Sequence, residues 1–547
     1  MLDRTSLLAV HAMCVTVVVA VLGPAPVAAQ PKLAVVIVVD QMRAGFLTEF
    51  AEDFDGGLAR LTRDGAVFTG AFHDHALTAT APGHATIATG TYPSRHGVIG
   101  NQIWSYELDR LRNIVLDANV ATVGMERRSG RSPHTLMRSG LGDWLKAQSP
   151  DSKVFAVSLK DRAAVFAGGQ QPDAVYWYDN LAGNFVTADY YVGALPAWVE
   201  RFNELDWVDP YFGEAWVPSF DDGHDRLAHV GVDGASFSEF PHVLVGDAET
   251  PDRRFYSRFR LTPFADRMTL DFAEALIDAE QLGTDDTPDV LFIGLSAADY
   301  IGHRYGPWSE ETHDHYARLD QYLGEFLAFL DDRVGRDRYT LALTADHGVM
   351  PIPEQMASLG LKAGRTLAED VLADLEPVVR AAVERGVVPV MPRLGYIFGV
   401  VFDFDDADVS ARQIDALATI VAEHLRARPD VASAYTTAEL QAESGMHDPW
   451  LGRHQRSFYP GRAPAVTVNA IENHLITPEE RGATHGSPYA YDARVPLIFL
   501  GDGIAPGEYR GDVRTVDIAP TLATLLGIEP PDDLDGHDVS AKFTSVD

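Results

Sequence analysis

Cysteine is nearly missing from this chain: Cys14 is the single one in 547 residues. It lies in an apolar leader, Leu7 to Val21, that runs into Gly23-Pro24-Ala25-Pro26-Val27-Ala28-Ala29. An apolar stretch of that length followed by small residues predicts a secretory signal peptide over 1–29, cleaved after Ala29. For the alternative, an uncleaved anchor helix, the run is short for a bilayer span. Once cleaved, the chain has no cysteine at all, which excludes disulfides, thiol nucleophiles and Cys-ligated zinc together. Positive charge is scarce too, with 44 Lys and Arg against 79 Asp and Glu and a net charge of −35. Such a surface repels nucleic acid and anionic lipid at long range, so neither is an expected partner. An anionic substrate would need its attraction built locally. No later stretch is long and apolar enough to cross a bilayer, so no membrane span is expected after cleavage, and the protein is predicted to be exported, periplasmic or secreted. Internal repeats and low-complexity tracts are lacking as well.

What is present is an ordinary globular composition, 46% apolar and 22% charged, organised around short buried runs. Leu33-Ala-Val-Val-Ile-Val-Val39 ends in Asp40, and Val290 to Leu295, Tyr339 to Thr344 and Val495 to Leu500 are similar. Short, β-branched apolar runs of this kind read as strands buried on both faces. Helical periodicity fills Phe264 to Leu282 and Glu310 to Val334. Strands alternating with amphipathic helices predict an α/β fold with a large, mostly parallel central sheet and helices on both faces. Two stretches break the pattern. Residues 168–260 are rich in aromatics, Pro, Gly and Asp and read as a loop-rich insertion or cap. Residues 351–478 hold a β-α-β-like unit (Leu394 to Phe402, a helix near Ala411 to Arg428, then Val431 to Tyr435) and read as an accessory lobe. The expected core is then 30–167, 261–350 and 479–547.

Three of the buried runs carry a carboxylate at or just past the C-terminal end: Asp40, Asp299 and Asp346. Ligand sites in open α/β sheets collect at those ends. Asp299 and His303 stand at i and i+4, one face of a helix. Asp346-His347-Gly348 is an adjacent pair on a turn, and His485 sits in the Gly-flanked Thr484-His485-Gly486-Ser487. Imidazole nitrogen and carboxylate oxygen suit zinc and related divalent metals. Six such residues suffice for two sites of three protein ligands each. A nucleophile candidate, Thr80, heads Thr80-Ala-Pro-Gly-His-Ala-Thr-Ile-Ala-Thr-Gly90, where it is expected as an N-cap, with Pro82 in the first turn and Gly90 as the stop. A hydroxyl at a helix N-terminus sees free N–H groups and a positive dipole end, both favourable to a phosphoryl group.

These pieces resemble the alkaline phosphatase superfamily, in its type I phosphodiesterase/nucleotide pyrophosphatase-like branch. The matching segments are Val-Val-Asp40, Thr80-Ala-Pro-Gly-His, Thr-Gly-Thr-Tyr-Pro-Ser-Arg-His-Gly97, Gly100-Asn101, Asp299-Tyr-Ile-Gly-His303, Thr-Ala-Asp346-His347-Gly, Thr-His485-Gly and the tail Val516 to Leu522. Most of 33–165, 262–350 and 480–540 is covered; the two insertions are not. The resemblance implies one zinc held by Asp299, His303 and His485. It implies a second held by Asp40, Asp346 and His347, with Thr80 beside it as nucleophile and ligand. It implies that Asn101 bonds a phosphoryl oxygen. No motif match gives His73, Asp74, His75, His84 or His96 a ligand role. Ser158-Leu-Lys160-Asp-Arg162, together with Gly100-Asn101, is similar to the phosphate-irrepressible alkaline phosphatases, the monoesterases of the branch, in which the Lys and Arg contact the phosphoryl oxygens.

The expectation is therefore an exported zinc alkaline phosphatase hydrolysing phosphate monoesters through a phosphothreonine. The enzyme alternative is a nucleotide pyrophosphatase/phosphodiesterase of the same fold; the alternative of another class is a non-catalytic binding protein on a hydrolase scaffold. A formylglycine-type sulfatase needs Cys or Ser where Thr80 stands. Partners are small phosphorylated substrates. The sequence leaves the physiological ester, the oligomeric state and the role of the two insertions open.

Overall fold

In the computed structural model the described residues are 30–105, 110–125, 129–220, 240–405, 407–442, 448 and 450–544. The leader expected over 1–29 lies outside them. Among the described residues no helix is long and apolar enough to cross a membrane.

Leu33–Val39 runs through the middle of an eleven-stranded sheet. It pairs in parallel with Asp289–Leu295 on one side, Val36 opposite Phe292, and with Tyr339–Thr344 on the other, Val36 opposite Ala342. Asp289–Leu295 in turn pairs in parallel with Val154–Ser158, and that strand with Ala174–Asp179. Adjacent parallel strands therefore end at the same edge, and the residues just past them include Asp346, Asp40, Asp299 and Lys160. The run near Val495, observed as Leu497–Gly501, joins antiparallel to Tyr339–Thr344.

Alternation of side chains along the first strand feeds two cores. Leu33, Val35, Ile37 and Val39 pack into one with Leu276, Leu323 and Leu327. Ala34, Val36 and Val38 face the other, with Ile87, Val165 and Leu522. Both faces are apolar because helices cover both, including Pro263–Glu280 and Glu310–Leu330 on the first face and Thr80–Thr89 on the second. The second of the predicted helices ends at Leu330, and a π-helical turn, Asp331–Gly335, completes it.

The stretch from 168 departs from the loop-rich reading. Ala174–Asp179 and Asn184–Ala188 extend the central sheet. Tyr176 and Tyr178 are buried, and Phe185 lies 4.1 Å, ring to ring, from Phe272. These aromatics are core of a strand pair rather than part of a loop-rich insertion or cap; Tyr, Trp and Phe favour strands, and the Pro, Gly and Asp around them mask that signal. The accessory stretch forms its own four-stranded sheet, ordered Arg393–Tyr396, Gly399–Asp403, Val466–Ala470, Val431–Thr436. Helices Ala368–Glu384 and Ala411–Arg426 close a separate core over it, with Leu375, Val400, Leu417 and Val466.

Candidate active site

Thr80 is the first residue of helix Thr80–Thr89, whose N-cap is Ala79 in extended conformation, with no side-chain capping bond. This corrects the expectation that Thr80 caps the helix. The hydroxyl is thus not consumed by its own backbone, and Lys160 Nζ lies 3.4 Å from Oγ1. Gly90 ends the helix in the left-handed region (φ 62°), a conformation costly for residues with a β-carbon. At Gly83 the constraint is contact: a β-carbon there would fall 2.3 Å from the Asp346 carbonyl oxygen. Only glycine lets the Thr80 helix sit this close to the end of the Tyr339–Thr344 strand.

Asp299 and His303 lie in helix Ala297–Tyr305, their side chains 3.2 Å apart (Oδ1 to Nε2). His485 Nε2 is 3.6 Å from the same Asp299 oxygen. In the neighbouring group, His347 Nε2 is 3.5 Å from Asp40 Oδ1 and 3.6 Å from Asp346 Oδ2. Within each trio the ligand-type atoms all lie within 4.8 Å of one another. The His347 and His485 rings stack with centroids 3.5 Å apart, so the trios adjoin.

Hydrogen bonds settle which nitrogen of each imidazole faces inward. Nδ1 of His303 donates to the Ala483 carbonyl, Nδ1 of His485 to that of Thr78, and Nδ1 of His347 to that of Gly348, at 2.7, 2.7 and 2.9 Å. A carbonyl only accepts, so the proton sits on Nδ1 and the Nε2 lone pair points into the cluster. That outer bond is how metal-ligating histidines are oriented. Asp40 Oδ1 and His347 Nε2 are buried with no hydrogen-bond partner, while Asp40 Oδ2 faces the Lys160 ammonium and Asp346 Oδ2 faces His84 Nδ1. Buried polar atoms left unpaired are costly, and a divalent cation would satisfy both. The donor set, three carboxylates and three imidazoles, fits such ions.

Electrostatics agree. Burial and the adjacent Asp346 carboxylate push the Asp40 carboxyl well up, against the pull of Lys160. Burial works against Asp299 as an anion, yet His303 and Lys160 hold it well below the usual range. Burial drives His347 and His485 down, keeping them neutral, and His303 goes up because Asp299 outweighs its burial. Lys160, 2% exposed, lies 2.7 Å from Asp40 and 2.5 Å from Asp299. One ammonium thus touches the candidate nucleophile and a carboxylate of each trio.

Asn101 Oδ1 accepts the Ala81 N–H at 2.8 Å, which fixes the amide and leaves its Nδ2 hydrogens as donors. Arg162 is in the first turn of helix Asp161–Gly168, its Nε buried and unpartnered. Burial opposes its charge, but Tyr300, Asp161, Asp40 and Asp299 outweigh that. Asp161 is itself occupied by Arg131 at 2.5 Å, so it is not spent on Arg162 alone. All ten sequence-predicted site residues therefore lie at or beside one strand-end edge.

Gln41 had no expected role. Its backbone N–H donates to Asp346 Oδ1 (3.1 Å) and its Nε2 to Asp299 Oδ1 (2.9 Å), tying the two trios together from a left-handed φ of 68°. Its position next to Asp40 was the available signal. His84, without a role from sequence, contacts Asp346 Oδ2 at 3.2 Å and the Thr80 carbonyl at 2.9 Å through Nδ1.

With this geometry in view, the class is defined: residues 34–483 match the model of the type I phosphodiesterase / nucleotide pyrophosphatase family, and the chain belongs to that family. Among individual relatives, it is 32% identical over 514 residues, 92% of each chain, to alkaline phosphatase PafA of Elizabethkingia meningoseptica. It is likewise 32% identical over 516 residues, 92% of this chain and 93% of the other, to a Myroides odoratus protein named a calcium-transporting ATPase. The crystal structure of wild-type PafA superposes with a TM-score of 0.84 at 30% identity, covering 94% of this chain and 99% of the other.

Proposed function

We propose that this protein is a metal-dependent alkaline phosphatase that hydrolyses phosphate monoesters through a phosphothreonine at Thr80. The observation that carries the reading is the uncapped Thr80 hydroxyl within reach of an ammonium that also touches both three-ligand trios. The phosphatase name of the PafA relative agrees with it. The transport name of the Myroides relative is not carried over; among the described residues no helix is long and apolar enough to cross a membrane.

Asp299, His303 and His485 would hold one divalent ion, and Asp40, Asp346 and His347 another, with Thr80 beside it; we take both to be zinc. When bound, such ions supply positive charge that eases loss of the threonine proton and stabilises the departing oxygen. Thr80 Oγ1 attacks phosphorus in line, the bond from phosphorus to the ester oxygen breaks, and the alcohol leaves with a proton. Water then attacks the phosphothreonine and releases phosphate, restoring the hydroxyl. Lys160, Arg162 and Asn101 Nδ2 donate to the non-bridging oxygens, where charge stabilisation counts most. A monoester dianion offers three such oxygens and a diester two, so these cations favour the monoester. The leader expected over 1–29 assigns the enzyme to the periplasm or medium. We take the core as 30–188, 261–350 and 479–547, since the strands that end at Ala188 belong to the central sheet, with the insertions over 189–260 and 351–478.

A panel of one aryl monoester, one aryl diester and one sulfate ester, assayed with metal analysis of the same preparation, tests the reading. The monoester should be favoured. A preference for the diester would select the phosphodiesterase, and no turnover of any ester would select the binding protein.

A further inference from the structure

Beside the His485 trio, between the core and the accessory sheet, lies a cavity that the chemistry above does not use. Its walls come from three remote parts of the chain, among them Leu77 and Gly100 next to the Thr80 helix, Trp104, Phe398 and Phe458. Two of its lining residues are chain neighbours of site residues: Gly100 precedes Asn101 and Gly486 follows His485. Phe398 forms the turn between Arg393–Tyr396 and Gly399–Asp403, at a left-handed φ of 53° and 37% exposed. Its ring lies directly over Gly486, where a β-carbon would come within 2.8 Å of Phe398 Cε1 and 3.4 Å of Leu77 Cδ1. Phe398 is thus a large apolar side chain in a conformation disfavoured for a residue with a β-carbon, one edge packed on Gly486 and over a third of it still exposed.

Polar groups also line this cavity without partners. His454 is 5% exposed, and neither of its ring nitrogens is hydrogen bonded; Trp104 Nε1 is buried and unbonded as well. Mostly apolar walls with a few unsatisfied polar groups are what a small-molecule site requires. We propose that this cavity is a subsite for the organic part of the substrate, accepting a flat aromatic alcohol group that stacks on Phe398 and offers an acceptor to Trp104 Nε1. It rests on the phosphomonoesterase reading for the orientation of the ester, with the departing oxygen on the His485 side. The accessory sheet then contributes directly to substrate recognition, because it supplies the aromatic wall.

Binding and turnover separate the two ideas. Phenylphosphonate and methylphosphonate share the phosphoryl-like head and differ in the group that would enter the cavity. Their affinities are measured by calorimetry on the metal-loaded protein, wild type against Phe398→Ala and Phe398→Trp, alongside kcat/KM for phenyl phosphate and glycerol phosphate. The wild type should prefer phenylphosphonate about tenfold. Phe398→Ala should remove most of that preference and lower kcat/KM for phenyl phosphate about tenfold, with glycerol phosphate and inhibition by inorganic phosphate unchanged within about twofold. Phe398→Trp should restore the preference. Equal binding of the two phosphonates by the wild type, or equal losses on both esters in Phe398→Ala, would overturn the subsite while leaving the phosphatase standing. Preferential phenylphosphonate binding without ester turnover would keep the subsite and overturn the phosphatase.

Discussion

Replacing Lys160 by alanine removes an ammonium that has two separable roles, and the structure gives a magnitude for each. Toward substrate, one charge-assisted hydrogen bond to a phosphoryl oxygen contributes about 1.5–3 kcal/mol. At about 1.4 kcal/mol per factor of ten, that is a loss of roughly 10- to 150-fold in kcat/KM for an aryl monoester. An aryl diester, with fewer charged oxygens, should lose much less. Toward the protein, Lys160 is the buried counter-ion of Asp40 and Asp299, at 2.7 and 2.5 Å. Stripping one partner from a buried ion pair costs about 3–5 kcal/mol, and bound divalent ions would supply the missing charge. Urea unfolding of wild type and variant, each with zinc and with chelator, should therefore show a large destabilisation by Lys160→Ala only in chelator. Measuring kcat/KM on both esters completes the design. Equal losses on monoester and diester would show that Lys160 supports structure rather than specificity. An equal destabilisation with and without metal would show that the trios do not bind ions beside it.

Thr80→Ala should abolish turnover and phosphoprotein trapping while leaving fold and metal content intact, because the hydroxyl makes no capping bond and its loss costs under about 1 kcal/mol; near wild-type turnover would mean direct attack by water. Metal analysis should find about two divalent ions per chain, with activity lost on chelation and recovered with zinc. Gly83→Ala should lower both turnover and metal content, since its new methyl collides with the Asp346 carbonyl; normal metal content would show that the helix can retreat freely. Stability should fall with acid from about pH 6.5 downward. Burial lowers His73 and His454 to about 4 and His96 and His315 to about 3. The unfolded chain therefore takes up these protons first, and each histidine costs up to about 1.4 kcal/mol per pH unit until its folded pKa is reached. Urea midpoints at pH 7.5, 6 and 5 test this, and a flat profile would contradict it.

The features legible in the sequence are those written locally. A β-branched run followed by Asp, an Asp and His four apart, and Asp-His-Gly on a turn each report their own surroundings, and the ligand candidates lie in such patterns. That Leu33–Val39 lies between Asp289–Leu295 and Tyr339–Thr344 is a fact of pairing across about 250 and 300 residues, and no local pattern encodes it. The same holds for Gln41, whose importance comes from two carboxylates brought to it by other strands. Aromatics at 176–178 misled because a buried strand at the sheet margin and a loop-rich cap share composition. Thr80 misled by one position because an N-cap and the first helical residue differ only in backbone angle.

Placing the earliest strand at the centre of the sheet has a consequence for how the enzyme comes into being. Leu33–Val39 is made first, yet its nearer neighbour arrives only with residue 295 and the other with residue 344. At roughly 5–20 residues per second, this apolar segment waits roughly 13–50 s for a partner during synthesis. A segment so sticky and so slow to be satisfied invites aggregation in a crowded compartment. Catalysis is deferred further, because no fragment that stops short of His485 holds every ligand candidate. The candidate site thus draws on both ends of the chain, from Asp40 to His485.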